Sequence, residues 1–264
     1  MNGGRYAKLA ICGLVAILAL TGCQRRTVYT QFDEMPPPSA AALLGQHHIV
    51  GSSVRKIPIM THVFGQGPDV TFILATIHGD EPAGTPLVRR LAQHLMNNLH
   101  LLNGRTIVLL PIANPDGFAH NTRYNARGVD LNRNFSADNR INSEATGLSA
   151  LSEPEAGVIN LIIEQYDPDR IVSLHQRQNG KLGCIDYDGP AADLAGRMAQ
   201  YCDLPVTKLG AMPGSLGSYA GINLRIPTIT LEMQTADSLL STQTLWRKYG
   251  KALLAAITYP DPLQ

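Results

Sequence analysis

His78 and Glu81 place an imidazole and a carboxylate three residues apart, within the motif His-Gly-Asp-Glu. They follow an apolar run at residues 71–77, which predicts a buried strand that ends in a glycine-containing turn. One more imidazole would complete the open His2Glu set that holds catalytic zinc. His175 is a candidate, because it also closes an apolar run, at residues 171–174. Alone, a His-x-x-Glu pair is weak evidence for a metal site.

Two further strand ends carry polar side chains. A patterned stretch from Asn114 to Asn134 follows the predicted strand 106–112, and Glu232 ends the predicted strand 228–232. Because open α/β sheets bind ligands outside the carboxyl ends of their strands, we expect these residues to converge with His78. The arginines and asparagines of the stretch present planar donors for carboxylates and carbonyl oxygens. The alternative is a solvated loop whose Asn and Gly residues only form turns.

The elements that must position these residues alternate between strand-like and helix-like segments from about residue 46, which predicts an α/β fold. Several predicted strands are apolar throughout, as expected of strands covered on both faces. A capping box, Ser152 with Glu155, predicts the start of the second helix. The predicted strands are 56–63, 70–77, 106–112, 170–174 and 228–232, and the predicted helices are 84–99, 154–165, 191–202 and 241–259.

The amino terminus has the pattern of an export signal over residues 1–22: a short basic region, then an apolar stretch too short for a comfortable membrane span. The segment Leu20-Thr21-Gly22-Cys23 resembles a bacterial lipobox, which predicts that Cys23 is lipidated and anchors the protein in a membrane. An ordinary signal peptide or a simple anchor helix are the alternatives. Gln24 stands where an inner-membrane retention signal would place Asp, which favours the outer membrane, facing the periplasm.

Composition and charge limit the classes of partner. Residues 23–45 are polar, irregular and proline-containing, so we interpret them as a lipidated Cys and tether, followed by one domain at 46–264. The chain carries a net charge of +1, and removal of Arg5 and Lys8 with the signal leaves about −1. Such a balance gives no electrostatic reason to expect nucleic acid as a partner.

Two cysteines remain in the expected domain, Cys184 and Cys202. In an oxidising compartment a disulfide can persist, so we expect a bridge between them. Two buried free thiols are the alternative.

The motifs occur in an order that resembles the zinc metallocarboxypeptidases of the M14 (carboxypeptidase A-like) family. The resemblance covers roughly residues 60–260 and implies a mixed, mostly parallel central β-sheet flanked by helices. The motifs that carry it are His78-Gly79-Asp80-Glu81, Asn114-Pro115-Asp116-Gly117, Gly128 to Phe135, Ser152-Glu153-Pro154-Glu155, His175 and Thr230-Leu231-Glu232.

The resemblance implies that His78, Glu81 and His175 hold one Zn²⁺ per chain, with water in the fourth position. It implies that Glu232 is the general base that takes a proton from this water and later passes one to the leaving amine. Asp80 could orient a ligand imidazole through its other ring nitrogen, or only shape the turn.

The same resemblance assigns the substrate contacts. Arg123 would polarise the scissile carbonyl and hold the developing oxyanion, although Arg127 lies four residues on and could reach the same space. Asn132 and Arg133 would bind the terminal carboxylate of the substrate. Leu216, in the pocket region, offers no charge to a basic or acidic side chain.

Within the family, residues 183–186 and 213–219 look most like the bacterial murein peptide amidase branch. That branch implies hydrolysis of the γ-D-glutamyl–diaminopimelate bond in murein peptides. Diaminopimelate carries charged groups at both ends, so further polar contacts are expected, with Arg177, Arg225 and Asp186 as candidates.

Other functions remain open at this stage. Digestive carboxypeptidases carry a mobile Tyr shortly before the Gly-Ser of the specificity pocket, and residues 209–215 contain no Tyr, so digestive specificity is not expected. A general periplasmic carboxypeptidase and a non-catalytic peptidoglycan-binding lipoprotein are the main alternatives. Acyl-amino-acid deacylases share the zinc core, but the complete motif at 128–135 favours the peptidases.

Overall fold

Apolar runs form the strands of one seven-stranded sheet in the computed structural model, which describes residues 45–177, 182–261 and 263. The order across the sheet is β1-β2-β4-β3-β5-β7-β6. The strands are β1 Gln46–Ser52, β2 Pro58–Gly65, β3 Asp69–Ala75, β4 Arg105–Leu110, β5 Arg170–Gln176, β6 Cys184–Asp188 and β7 Thr228–Met233.

The sheet is mixed, as predicted. Strands β4, β3, β5 and β7 form a parallel centre. Antiparallel pairs flank this centre, β1–β2 and β2–β4 on one side and β6–β7 on the other. Half of the strand pairings in the described chain are therefore antiparallel, so "mostly parallel" holds for the centre of the sheet and not for its edges.

Helices cover both faces of this sheet. Three of them, α1, α4 and α5, pack with one apolar cluster, and α3 packs with the other. Shorter helical turns occur at Leu131–Arg133 and Gly217–Asn223, and both contribute to the second cluster. The α-helices are α1 Gly84–Asn97, α2 Pro115–His120, α3 Pro154–Tyr166, α4 Ala192–Ala199 and α5 Thr242–Thr258.

Strand β5 shows how the sequence divides its side chains between the two clusters. Successive side chains of a strand point to opposite faces. Val172 and Leu174 belong to the cluster beneath α1, α4 and α5, whereas Ile171 belongs to the cluster beneath α3. Ser173 and His175 therefore share the α3 face, where polar side chains interrupt the apolar packing.

The predicted strands and long helices are all present, with ends that differ by a few residues. The elements that the prediction missed are β1, β6 and α2. Strand β1 contains two histidines and half-exposed positions, β6 is an edge strand with two aspartates, and α2 is only six residues long. None of these has the apolar run or the sustained 3.6-residue period on which the prediction relied.

The predicted capping box is wrong. Helix α3 begins at Pro154, but its N-cap is Glu153, without a side-chain capping bond. Ser152 Oγ instead donates to Glu153 Oε1 at 3.0 Å. Glu155 is fully buried and accepts from the backbone N–H of Val54 at 3.0 Å. Its carboxylate thus ties α3 to the β1–β2 turn rather than to the end of its own helix.

The amino-terminal predictions lie outside the described residues. They comprise the signal at 1–22, the lipidated Cys23 and all but the last residue of the tether at 23–45. Within the described parts of the chain, no helix is long and apolar enough to cross a membrane.

Candidate active site

The carboxyl ends of three neighbouring parallel strands bring the predicted residues together. His78 follows β3 by three residues, His175 lies on β5 and Glu232 lies on β7. Ala75 pairs with Leu174, and His175 pairs directly with Glu232 across the sheet. Because the strands are parallel and adjacent, residues far apart in sequence meet at one edge of the sheet.

His78, Glu81 and His175 form a buried cluster, each 3% exposed. Nδ1 of His78 lies 2.9 Å from Glu81 Oε1, and Nδ1 of His175 lies 2.7 Å from Glu81 Oε2. The two Nδ1 atoms are 3.2 Å apart. One potential ligand atom from each residue lies within 4.8 Å of the others. Two ring nitrogens thus converge on one carboxylate.

This donor set fits zinc. Two imidazoles and one carboxylate, with a further position open, are the ligands of a catalytic rather than a structural zinc ion. A buried carboxylate facing two imidazole nitrogens also supplies the negative charge that a divalent cation needs in a protein interior. His78, Glu81 and His175 would therefore hold the metal.

Asp130 orients the first imidazole. Its Oδ1 lies 3.1 Å from Nε2 of His78, which leaves Nδ1 of the same ring directed at Glu81. Gln176 N donates to Glu81 Oε2 at 3.1 Å and fixes the carboxylate in turn. Partners of this kind set the ring orientation and basicity of a metal ligand. The ring nitrogen of His78 that Asp80 could have oriented contacts Asp130 instead, and Asp80 Oδ1 is buried without a hydrogen-bond partner among the described residues.

The histidines and carboxylates of the cluster shift one another's pKa values. Burial lowers the pKa of His78, but the Glu81 and Asp130 carboxylates outweigh burial and raise the pKa to about 9. Burial acts to raise the pKa of Glu81, but His78 and His175 outweigh it and hold that pKa far below its usual range. Each carboxylate therefore stays charged and attracts a cation.

The backbone brings the ligand loop into close contact with α2. Asn114, the N-cap of α2, accepts from Gly117 N at 2.8 Å, and its Nδ2 donates to Ile77 O at 3.3 Å. A Cβ on Gly79 would lie 2.0 Å from the carbonyl carbon of Gly117. Gly79 is thus required by close approach of two backbones. The stretch that begins at Asn114 is therefore not a solvated loop at its start, since Asn114 caps α2 and supports the loop that carries His78.

Arg123, and not Arg127, lies beside the candidate metal ligands. Its Nε donates to Asp130 Oδ2 at 3.0 Å, and its Nη1 lies 3.3 Å from Nδ1 of His78. Arg127 pairs with Glu153 instead, at 3.4 Å, with its side chain 55% exposed. Arg123 also lines the cavity next to the ligands, which contains about 460 Å³.

Asn132 and Arg133 line the same cavity on a helical turn that Asp130 caps. Asn132 Oδ1 accepts from the backbone N–H of Leu216 at 2.9 Å, so its Nδ2 group remains as a donor. Arg133 Nη1 donates to the carbonyl of Asn132 at 2.5 Å. Leu216 is 2% exposed and forms an apolar part of the cavity wall.

Glu232 is half-buried and lines the cavity beside the ligands. Burial raises the pKa of the Glu232 carboxyl above its usual range, with His175 opposing the shift and Glu81 adding to it. A carboxylate with a raised pKa is a stronger base, which suits it to accept a proton from water.

Two of the three residues predicted as further polar contacts to the substrate lie at the cavity. Arg177 and Asp186 line the cavity, whereas Arg225 is exposed and does not line it.

The expected disulfide is wrong, because Cys184 and Cys202 are both free thiols. Cys184 pairs with Glu232 across β6 and β7, while Cys202 donates to Met198 O beside α4, so the two thiols belong to different surroundings.

Comparison with known proteins identifies the family. The family model for zinc carboxypeptidases, Peptidase M14, matches residues 46–192, which is more than half of the chain. The chain belongs to the zinc carboxypeptidase family. Proteins of this family are zinc-dependent hydrolases, so the expectation of a hydrolase that uses zinc is confirmed.

Relatives extend the similarity beyond the family match. The chain is 36% identical to murein peptide amidase A from Escherichia coli K12 over 184 residues, 63% of this chain and 72% of that protein. It is 30% identical to murein peptide amidase A from Vibrio campbellii over 236 residues, 81% of this chain and 86% of that protein. The crystal structure of murein-tripeptide amidase from Escherichia coli O157 matches with a TM-score of 0.58 and 26% identity, covering 88% of this chain and 96% of that chain.

The sequence pattern assigns no role to Asp130, because its partner His78 lies 52 residues away. We expect Asp130→Ala to weaken zinc binding by about 10- to 100-fold, since the His78 ring loses its orienting acceptor. Competition with a chromophoric chelator measures the affinity. Asp80→Ala is the matched control, expected to change affinity by less than about threefold. Equal losses in both variants would contradict the assignment.

Proposed function

We propose that the protein is a zinc-dependent amidase that hydrolyses the bond to the C-terminal residue of murein peptides, at the γ-D-glutamyl–diaminopimelate linkage. The observation that carries the chemistry is the convergence of the three ligands, Glu232 and the Asn132–Arg133 turn on one cavity. The substrate is supported by the two murein peptide amidase relatives and by the similarity to a murein-tripeptide amidase.

Substrate binding begins with the terminal carboxylate. Arg133 presents a planar fork of N–H donors, and Asn132 adds its Nδ2 group, because its Oδ1 already accepts from Leu216 N. Fixing the carboxylate selects the end of the peptide that enters the cavity. It also places the last amide bond, and not an internal one, beside Glu232 and the ligand cluster.

Glu232 transfers the protons in the proposed reaction. Its carboxylate takes a proton from the attacking water and then delivers a proton to the nitrogen of the leaving amine. The Arg123 guanidinium donates to the carbonyl oxygen as negative charge develops there. Zinc, when bound, supplies a Lewis acid that polarises this carbonyl and lowers the pKa of water. Asp130 holds Arg123 and His78 together and so couples the oxyanion donor to the ligand set.

The cellular location is a further part of the proposal. Residues 1–22 are interpreted as a lipoprotein export signal, and Cys23 as the lipidated residue that anchors the protein at the outer membrane, facing the periplasm. Murein peptides are available in that compartment. The support is the sequence Leu20-Thr21-Gly22-Cys23 and the polar, proline-containing residues that separate it from β1.

Lipidation is tested by labelling cells with a clickable palmitate analogue. We expect the protein to incorporate label and to fractionate with membranes, and Cys23→Ala to abolish labelling because the acceptor sulfur is lost. Cys12→Ala, which removes a cysteine inside the predicted signal, is the control and should leave labelling unchanged. Continued labelling of Cys23→Ala would contradict the proposed anchor.

The reaction is tested with zinc-loaded protein and the murein tripeptide L-Ala-γ-D-Glu-meso-diaminopimelate. We expect release of free diaminopimelate, which mass spectrometry detects. Glu232→Gln removes the proton acceptor and should lower kcat by at least about 100-fold while zinc content is retained. The isosteric amide keeps the shape of the side chain, so loss of zinc in this variant would contradict the assigned role.

Other outcomes of the same assay separate the alternatives. Cleavage of all-L peptides without cleavage of the γ-linked tripeptide would favour a general carboxypeptidase. Binding of the tripeptide with no turnover, unchanged in Glu232→Gln, would favour a non-catalytic peptidoglycan-binding lipoprotein.

The oxyanion donor is tested with a matched pair of arginine variants. Arg123→Met should lower kcat by about 100- to 1,000-fold, because one preorganised donor to the developing charge is lost. Arg127→Met should change kcat by less than about threefold, since that side chain is largely exposed and pairs with Glu153. Both variants are assayed at saturating zinc. A larger loss in Arg127→Met would reverse the assignment.

A further inference from the structure

Arg177 is an arginine of the cavity that the proposed reaction does not yet use. It lines the cavity together with Arg123, which pairs with Asp130, and Arg133, which is proposed to bind the terminal carboxylate. Among the described arginines whose Nε atom is buried without a hydrogen-bond partner, only Arg177 lines the cavity. A buried donor without a partner is costly. Its position on the cavity wall indicates that a ligand supplies the acceptor.

The backbone of Arg177 is held by the segment that carries Glu232. Arg177 directly follows β5, and its N–H donates to Met233 O at 2.8 Å. Thr235 Oγ1 donates to the carbonyl of Arg177. The pairing of β5 with β7 therefore continues past the last residue of β5, and hydrogen-bonded backbone places the guanidinium at the cavity.

Arg177 lies farther towards the mouth of the cavity than the candidate metal ligands. Alternate residues of a strand share a face, so Arg177 lies on the same face as His175, one two-residue repeat of about 6.6 Å beyond it. His175 is 3% exposed, whereas Arg177 is half-buried. The step from His175 to Arg177 therefore leads from the ligand cluster towards solvent.

Arg177 also acts on the proposed general base without pairing with it. Burial raises the pKa of Glu232, and Arg177 is one of the cations that oppose this shift. The two side chains are thus close enough to interact, although they form no ion pair within the described part of the chain. The N–H donors of Arg177 therefore remain free for an acceptor on a substrate that lies beside Glu232.

The acyl side of the scissile bond is the part of the substrate that passes Arg177. In the proposed reaction Asn132 and Arg133 hold the terminal carboxylate, so the last residue is enclosed. The peptide on the amino side of the bond has no fixed length and must leave through the mouth of the cavity. The residue before the scissile bond therefore lies on the outer side of Glu232, as Arg177 does.

A γ-linked glutamyl residue has a free carboxylate on this side of the bond. The carbon of its α-carboxylate is four bonds from the scissile carbonyl carbon, about 5 Å in an extended chain. This separation is close to the strand repeat of about 6.6 Å between His175 and Arg177. A planar guanidinium binds a carboxylate through two parallel N–H···O bonds. An α-linked alanine offers no such acceptor.

We propose that Arg177 binds the free α-carboxylate of the γ-linked glutamyl residue on the acyl side of the scissile bond, and so contributes to the recognition of γ-linked substrates. The inference rests on the proposed murein peptide amidase function and names a specificity-determining residue for it. It assigns Arg177 to the glutamyl residue, and not to the diaminopimelate on the other side of the bond.

The test compares two tripeptides that differ only in this carboxylate. One is L-Ala-γ-D-Glu-meso-diaminopimelate, and the other has D-isoglutamine in place of D-Glu, which converts the α-carboxylate to a neutral amide. We expect the wild-type kcat/KM to favour the carboxylate by about 10- to 100-fold, the value of a hydrogen bond between charged groups. Arg177→Met should reduce the preference to less than about threefold, mainly through KM, because the guanidinium is lost.

Two further variants separate recognition from a structural role. Arg177→Lys keeps the charge but loses the planar fork, and it should retain a preference of about three- to tenfold. Arg247→Met removes an exposed arginine of α5, which packs on the other face of the sheet, and should keep the full preference. Zinc content and melting temperature are measured for each variant.

The influence of Arg177 on Glu232 does not enter the result. Loss of the guanidinium changes the basicity of Glu232 and therefore the rate on both tripeptides alike. The ratio of the two kcat/KM values cancels this effect. A full wild-type preference that is unchanged in Arg177→Met would overturn the inference.

A second peptide pair identifies the source of the carboxylate. An α-linked Glu in the penultimate position presents the same group, because its side-chain carboxylate is also four bonds from the scissile carbonyl carbon. Peptides ending in Glu-Lys and Gln-Lys are therefore compared under the same conditions. A preference for Glu in this pair, without a preference in the γ-linked pair, would contradict the assignment to the γ-glutamyl residue.

Failure of this inference is distinguishable from failure of the proposed function. If the wild-type enzyme cleaves both tripeptides equally, Arg177 does not bind the α-carboxylate, although the murein reaction stands. If zinc-loaded enzyme cleaves neither tripeptide, the proposed function fails, and calorimetric dissociation constants for the two tripeptides replace kcat/KM. Equal constants, or no binding, would then overturn the inference as well.

Discussion

The interaction on which the site depends is the contact of one buried carboxylate with two imidazoles from neighbouring strands. Glu81 lies 2.9 Å from Nδ1 of His78 and 2.7 Å from Nδ1 of His175, and it accepts from Gln176 N. Three polar residues would be costly to bury separately. Their burial is possible because β3 and β5 are adjacent and parallel, so that both strands end at one place.

The sheet also places the proposed functional residues beside one another. His175 and Glu232 lie side by side near the carboxyl ends of β5 and β7. Asn132 and Arg133, the proposed carboxylate-binding residues, lie on a turn capped by Asp130, which also contacts His78 and Arg123. The Asp130 carboxylate thus contacts residues that we propose for metal binding, oxyanion stabilisation and binding of the terminal carboxylate.

The sequence predicts the position of residues that close a strand. It does not predict contacts between residues that lie far apart along the chain. His78, His175 and Glu232 were predicted to meet because each closes an apolar run. Asp130 could not be assigned to His78, because nothing in local spacing links residues 52 positions apart. The predicted disulfide is wrong for the same reason: composition suggested a pair, but Cys184 lies beside Glu232 in the sheet, whereas Cys202 lies beside α4.

Metal coordination provides the most direct test of the central claim. X-ray absorption at the zinc edge, with metal analysis of the purified protein, should show one zinc per chain bound only by nitrogen and oxygen at about 2.0–2.2 Å. Replacing Glu81 with Gln should reduce the bound metal. A sulfur ligand at about 2.3 Å, which Cys184 beside Glu232 could supply, would contradict the account, as would the absence of stoichiometric zinc.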